Sequence, residues 1–245
     1  MEDVSFINFE ELPSTNSYAL MNINSLVDKT VIVANVQTEG KGRLGRAWIS
    51  DNSENLYFTL VLKSSDNKKI SQPFVNLTQY MSVILCKIFQ EYGVKAQIKW
   101  PNDVLVKNKK IAGILSEAST NKGQFEGIVL GVGVNLNSTP EDIKKINQKA
   151  TSLNLEISEK INKKLFLDKL LEKFFKGYDE FLSKGFKMIK EEYIQSSSFL
   201  GSEVTVSNIN SDFKALAESV LDDGSLYIKI GDEYKSINSG DITLV

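Results

Sequence analysis

Two short stretches hold the side chains best suited to handling anions. Residues 40–46 read Gly40-Lys41-Gly42-Arg43-Leu44-Gly45-Arg46, three cations interleaved with three glycines. Glycine lets backbone amides come close to a ligand, and lysine and arginine supply charge-assisted hydrogen bonds, so the natural guest is a phosphate or a carboxylate. The second stretch is Lys99-Trp100-Pro101-Asn102-Asp103, followed by Lys110-Ile111-Ala112-Gly113-Ile114-Leu115. A strand, a turn and a buried tryptophan account for its apolar residues, but not for Lys99 standing just before a turn so dense in polar groups. The plainer reading of residues 40–46, a solvated glycine-rich turn, leaves the alternation of charge and glycine between two apolar runs unexplained.

The string G-x-G-x-x-G has other uses, and its context excludes them. A dinucleotide loop needs an apolar helix directly after the last glycine, whereas Arg46-Ala47-Trp48 leads toward a second strand-like run. A P-loop needs Lys and then Ser or Thr at that point, and here Arg46 and Ala47 follow. The chain has no histidine. That removes the kinase catalytic loop, Ser-His and Cys-His nucleophiles and the common zinc sites together. The one cysteine, Cys86, sits in an apolar helical pattern, which excludes an internal disulfide and favours a reducing compartment. With 29 basic against 31 acidic residues, nothing global predicts a nucleic-acid or membrane surface, so any basic function is local. The acidic N-terminus lacks a signal-peptide core and no run is long and apolar enough to span a bilayer, so a cytoplasmic location is expected.

Alternating strand and helix patterns must position these groups. A first helix is expected over 14–26, after Pro13, with Ser14 or Thr15 near its cap. The β-branched run 30–37 and the apolar run 55–63 read as strands on either side of the glycine segment. Phe74, Leu77, Met81, Ile84, Leu85 and Ile88 recur at helical spacing, which predicts a helix over 72–92 ended by Gly93. Residues 103–119 read as a hairpin turning at Asn108-Lys109, 125–136 as a further strand, and 159–183 as a second long helix bearing Ile161, Leu165, Leu170, Leu171, Phe174, Phe175, Tyr178 and Phe181. After the polar residues 195–198 the pattern turns to short strands at 203–208, 215–221, 225–230 and 241–245, a small all-β domain. The expected fold class is α+β.

Taken in order, S-T-N at 14–16, Q-x-x-G-K-G-R-x-G-R-x-W at 37–48, K-W-P-N-D at 99–103, K-x-x-G-I-L at 110–115, G-x-G-x-N at 131–135 and A-T-S-L at 150–153 resemble the biotin protein ligase family over nearly the whole chain. K-W-P-N-D at a fixed distance from K-x-x-G-I-L is the most specific element. The resemblance implies a mixed sheet packed with helices, like a class II aminoacyl-tRNA synthetase catalytic domain, over 1–198, and a small SH3-like β-barrel over 199–245. It implies that biotin and ATP, with Mg2+ on the polyphosphate, form biotinyl-5'-AMP, and that biotin then passes to one lysine of a biotin carboxyl carrier domain.

Site residues follow from the same resemblance. Lys99 and Arg43 are the expected catalytic residues, with Lys41 completing a set of cations that neutralises the meeting anions. Ser14, Thr15, Asn16 and Gln37 line the biotin end. Gly40 and Gly42 allow backbone approach, and Arg46, Trp48, Lys110 and Asn135 lie on the nucleotide side. Asn102, Gly113 and Gly133 belong to the same site, and Asp103 is open between ribose, metal and incoming amine. No protein metal ligands are expected. Two departures stand out: Lys41 occupies a place where arginine is frequent, which loses bidentate geometry, and the β domain lacks a glycine around 213–217. Some members carry an N-terminal helix-turn-helix and act as repressors; with 13 residues before Ser14, the form without a DNA-binding module is expected, with no specific DNA affinity and no membrane partner. A homodimer through the central sheet would follow the family. The competing readings are a lipoate or other acyl ligase, whose pocket must fit a dithiolane, and a non-catalytic biotin sensor, which has no need of the cations.

Overall fold

The computed structural model describes residues 4–63, 72–207 and 211–244. Seven strands, β1 (Ser5–Leu12), β2 (Thr30–Gln37), β3 (Leu56–Leu62), β4 (Gln97–Lys99), β5 (Asp103–Val106), β6 (Lys109–Asn121) and β7 (Gln124–Val134), form one sheet in the order β1-β2-β3-β7-β6-β5-β4. β1 runs parallel to β2 and the other neighbours are antiparallel. All seven residues of β3 are buried. Both faces of the sheet are covered there, which is why LYFTLVL reads as an almost unbroken apolar run.

Helices supply the covers. On one face α1 (Thr15–Met21) and the turn after it lay Ala19, Ile23 and Leu26 against Ile32, Val61 and Val129. On the other, α3 (Leu77–Glu91) and α6 (Lys163–Lys184) bury their apolar stripes against Val31, Val33, Phe58 and Leu130. The alternation of Val31, Ile32 and Val33 between the two clusters is the two-residue period of a strand. Tyr80 of α3 stacks on Phe181 of α6 at 4.4 Å and donates its hydroxyl to the Phe174 carbonyl at 2.7 Å. Cys86 is buried on α3, and burial pushes its thiol up to about 12.

Several boundaries differ from those expected, for local reasons. α1 stops at Met21, where the Asn22 side chain donates to the Tyr18 carbonyl at 2.8 Å. Ile23 and Leu26 stay buried beyond the helix, so apolar spacing alone overruns its end. The helix expected over 72–92 divides at Asn76 into α2 (Gln72–Val75) and α3, and it does end at Gly93, whose φ is +73°. α6 begins at Lys163 because the Asn137 side chain clasps both backbone groups of Ile161 at 2.8 and 2.9 Å and Asn162 caps the Leu165 amide. Leu165, expected on the buried face, is 49 % exposed. The hairpin turns at Lys107-Asn108, both at positive φ, one residue earlier than expected.

Strand β1 and the short helices α4 (Pro140–Lys145), α5 (Leu153–Ile157) and α7 (Lys190–Ser196) carry weak signals and were not expected. α7 takes in the start of the polar 195–198 segment. The C-terminal sheet has five antiparallel strands: β8 (Glu203–Ser207), β9 (Asp212–Val220), β10 (Leu226–Ile230), β11 (Glu233–Ile237) and β12 (Asp241–Leu244), in the order β11-β10-β9-β8-β12. β11, largely exposed, was not expected, and the ends of the expected strands at 208 and 245 lie outside the described residues. The sheet's apolar face, including Val204, Ala217, Ile228 and Ile242, joins the main core. Gly224 fixes the junction: its carbonyl accepts from Gln79 at 2.7 Å and from the Trp100 indole at 3.4 Å, and a side chain there would collide with Asn76. Among the described residues no helix is long and apolar enough to cross a membrane.

Candidate active site

One cavity of about 600 Å³ opens over the middle of the seven-stranded sheet, and its two ends differ in chemistry. At the first end, Ser14 caps α1, with its Oγ accepting from the Ser17 amide at 3.4 Å, so the cap delivers Thr15 and Asn16 to the cavity floor. All three are buried. Gln37, the last residue of β2, meets them: the Thr15 amide donates to Gln37 Oε1 at 2.8 Å. Asn16 Nδ2 donates to the Leu115 carbonyl at 3.3 Å and to Glu117 at 2.8 Å, while its Oδ1 lies 2.6 Å from the Thr59 hydroxyl. A Cβ on Gly131 would strike Asn16, so the facing strand must be bare at that point.

At the second end the glycine segment forms a small hairpin between β2 and β3, closed by the Gln37–Ser50 and Lys41–Ala47 bridges. Gly42 donates to the Arg46 carbonyl at 2.7 Å and Trp48 to the Gly40 carbonyl at 2.8 Å. Gly40 leaves no room for a side chain beneath the Trp48 carbonyl. Leu44, at the tip, has φ +54°. The Trp48 ring lies across Gly113 of β6 and Gly133 of β7, where a Cβ on either would clash with it. The Lys110 ammonium stands 5.1 Å from that ring's centroid and 2.7 Å from Asp103 Oδ1. The buried Trp48 indole N–H has no hydrogen-bond partner among the described residues.

The loop's arginines are anchored from elsewhere. Arg43 reaches Asn102 Oδ1 at 3.3 Å and Asp241 Oδ1 at 2.9 Å, and Arg46 reaches Asp241 Oδ2 at 2.6 Å. Asp241 begins β12, so the C-terminal sheet touches the glycine loop directly. The far rim, Lys145 to Gln148 and Ala150, is held by α4. Thr139 and Asp142 cap that helix reciprocally, and Asn52 donates to Asp142 at 2.8 Å. The backbone amide of Thr139 is the main influence holding the Asp142 carboxyl below its ordinary value. Asn135 ties the rim to the sheet through the Thr151 carbonyl at 2.9 Å.

Every residue singled out from the sequence lines this cavity except Gly40 and Lys99. Gly40 lies beneath Trp48. Lys99 stands one step back, its Nζ 4.0 Å from Asp103 Oδ2. Sequence reasoning missed Asp241, the 145–148 rim, Gly131 and Thr59. Gly131 had a signal, since it opens the same G-x-G-x-N run as Gly133. So did Thr59, the one aliphatic hydroxyl in the apolar run 56–62. Asp241 had none, because it arrives across the chain from another sheet.

Comparisons with known proteins agree with this geometry. A model of the biotin/lipoate A/B protein ligase family matches residues 8–135. The chain is 30 % identical over 222 residues to the bifunctional ligase/repressor BirA of Bacillus subtilis, covering 90 % of this chain and 68 % of that one. It is 28 % identical to the biotin–[acetyl-CoA-carboxylase] ligase of Paracoccus denitrificans, covering 88 % and 90 %. Among solved structures, the biotin protein ligase from Aquifex aeolicus in complex with biotin and ATP superposes with a TM-score of 0.80 at 28 % identity, over 98 % of both chains.

Proposed function

The chain belongs to the biotin/lipoate A/B protein ligase family, and from that premise we propose how its cavity works as that of a biotin protein ligase, which activates biotin with ATP and transfers it to a carrier protein. The observation that carries this reading is the division of a single cavity into a buried neutral end and a cationic, aromatic end. Paired neutral donors and acceptors suit an uncharged polar ring. Cations beside an indole suit the phosphates and base of a nucleotide.

Between those ends the two substrates meet. A biotin carboxylate oxygen attacks the α-phosphorus of ATP, the bond to the bridging oxygen breaks, and pyrophosphate leaves with the electron pair. Bringing two anions together is the electrostatic obstacle, and Arg43, Lys41 and Lys110 on the cavity wall lower it, with Lys99 acting from behind Asp103. The ε-amine of a carrier lysine then attacks the acyl carbonyl, and AMP departs as the nitrogen loses a proton. Trp48 covers bare glycines on β6 and β7, and its indole N–H, unpaired among the described residues, is a donor on the nucleotide side. Magnesium enters as part of the substrate, on the polyphosphate. Among the described residues no three carboxyl, cysteine or histidine groups cluster to hold a resident ion, and Asp103 is engaged by Lys110 and Lys99.

The carrier is a biotin carboxyl carrier domain of a carboxylase. Residues 1–198 form the catalytic part and 199–245 the small β part, which contributes Asp241 to the loop's anchorage. A homodimer through the central sheet would use β1, one of its two edge strands. Pyrophosphate release measured with biotin, lipoate and octanoate in parallel tests the reading. Turnover with biotin alone is expected, and turnover with lipoate or octanoate but not biotin would refute it.

A further inference from the structure

Thr59 is fully buried on β3, outside the cavity lining, yet its hydroxyl sits at the centre of the neutral end's hydrogen bonds. The direction of each bond follows from groups that can only accept. The Leu115 carbonyl cannot donate, so the Asn16 atom facing it is the amide nitrogen and the other, Oδ1, can only accept. Thr59 has one proton, which is therefore committed to Asn16 Oδ1 at 2.6 Å. Toward Thr15, 2.8 Å away, Thr59 is left with lone pairs. The Thr15 proton thus turns inward, to Thr59 or to Gln37 Oε1 at 3.1 Å, and Thr15 Oγ1 offers only lone pairs to the cavity. Gln37 is oriented independently: the Thr15 amide fixes its Oε1, and one hydrogen of its Nε2 goes to Ser50 Oγ at 2.9 Å. Among the described residues the second hydrogen of that nitrogen has no partner.

We propose that Thr59 is a positioning residue for substrate specificity, relaying the fixed polarity of Asn16 to Thr15 so that the neutral end presents an acceptor at Thr15 beside a donor at Gln37. That pair complements a ring edge with an N–H next to a C=O, as in a cyclic urea. A dithiolane or an alkyl chain offers neither group. The inference rests on the reading that this end receives the biotin ring. It adds a residue that never touches the ligand and explains discrimination by hydrogen-bond direction rather than by shape.

The test compares Thr59→Val, Thr59→Ala and Thr59→Ser in steady-state adenylation, with biotin, with desthiobiotin, which keeps the cyclic urea, and with 2-iminobiotin, which replaces the C=O by a donor. The two variants lacking the hydroxyl differ in size, and the serine variant keeps the hydroxyl while losing the methyl. The KM for biotin and desthiobiotin is expected to rise roughly ten- to hundredfold in both Val and Ala variants, the scale of leaving buried polar groups mismatched. kcat and the KM for ATP should stay within about twofold, Ser should restore most of the loss, and the preference for biotin over 2-iminobiotin, set by the independently oriented Gln37, should hold. If one hydroxyl-free variant fails to fold, the other carries the comparison with Ser. An order set by side-chain size, with Val near wild type and Ala and Ser equally impaired, would overturn the proposal, as would an equal rise in the KM for ATP. A wild-type protein inactive with biotin would instead refute the ligase reading itself.

Discussion

The two ends of the cavity are built by opposite means. At the neutral end, Thr15, Asn16 and Thr59 are buried and tied together, with Gln37, by bonds of 2.6 to 3.1 Å that come from β2, β3 and α1. At the cationic end, a loop tip at positive φ is held by Asp241, and the Arg46 side chain is 64 % exposed. An ion pair so exposed contributes about 0–1 kcal/mol. The first end is therefore preorganised for recognition, and the second is held just firmly enough to be rearranged when phosphates compete for its arginines.

The largest effect that would separate the ends is expected at Lys110. Lys110→Gln should lower adenylation by roughly 10²- to 10³-fold, the scale of deleting one preorganised electrostatic partner, while leaving the Kd for biotin within a few-fold. Comparable losses in rate and in biotin affinity, read by single-turnover kinetics and calorimetry, would erase the distinction. A smaller effect is expected of Gly133→Ala. Its methyl would push Trp48 off the sheet, and since overpacking costs about 1–3 kcal/mol, the KM for ATP should rise roughly five- to hundredfold with little change for biotin. Kinetics with each substrate varied in turn will read that asymmetry.

Asp241→Asn should act mainly on the free protein. Weakening the attraction to Arg43 and Arg46 should speed tryptic cleavage near the loop by at most about fivefold, the scale of partly exposed ion pairs. The difference should vanish once biotin and ATP are present. The smallest effect concerns pH at the rim. The Asp142 carboxyl is held below its ordinary value of 3.8, chiefly by the Thr139 amide. A lowered carboxylate contributes stability that is present above the unfolded value and lost as pH falls through the folded one. Protection of the 139–150 amides relative to their intrinsic exchange rates should therefore fall only below about pH 4, and Asp142→Asn should remove that step.

Much of this contrast was legible in the sequence, unevenly. The central strands and the two long helices showed themselves because burial on both faces or along one stripe imposes a period that residues 30–37, 56–62 and 77–88 display. Strand β1 did not, since an edge strand with Asn8, Glu10 and Glu11 turned outward shows no clean alternation. The cationic end was legible from its glycines and lysines, and the neutral end only through the resemblance, because Ser14, Thr15 and Asn16 alone look like an ordinary cap. The separation of Lys99 from the cavity, with Lys110 on its wall, depends on strand pairing: Asp103 faces Gly113 and Lys99 faces Asp103 across the sheet, a register that no single stretch encodes.

Hydrogen–deuterium exchange across both ends, with and without biotin plus ATP, tests the contrast most directly. The account predicts that amides of residues 17–20 of α1 are already protected in the free protein and change little, whereas those of 38–50 exchange fast and become protected by at least about tenfold when the adenylate forms. Equal protection of the two segments in the free protein, or a glycine loop whose exchange does not respond to the ligands, would contradict it.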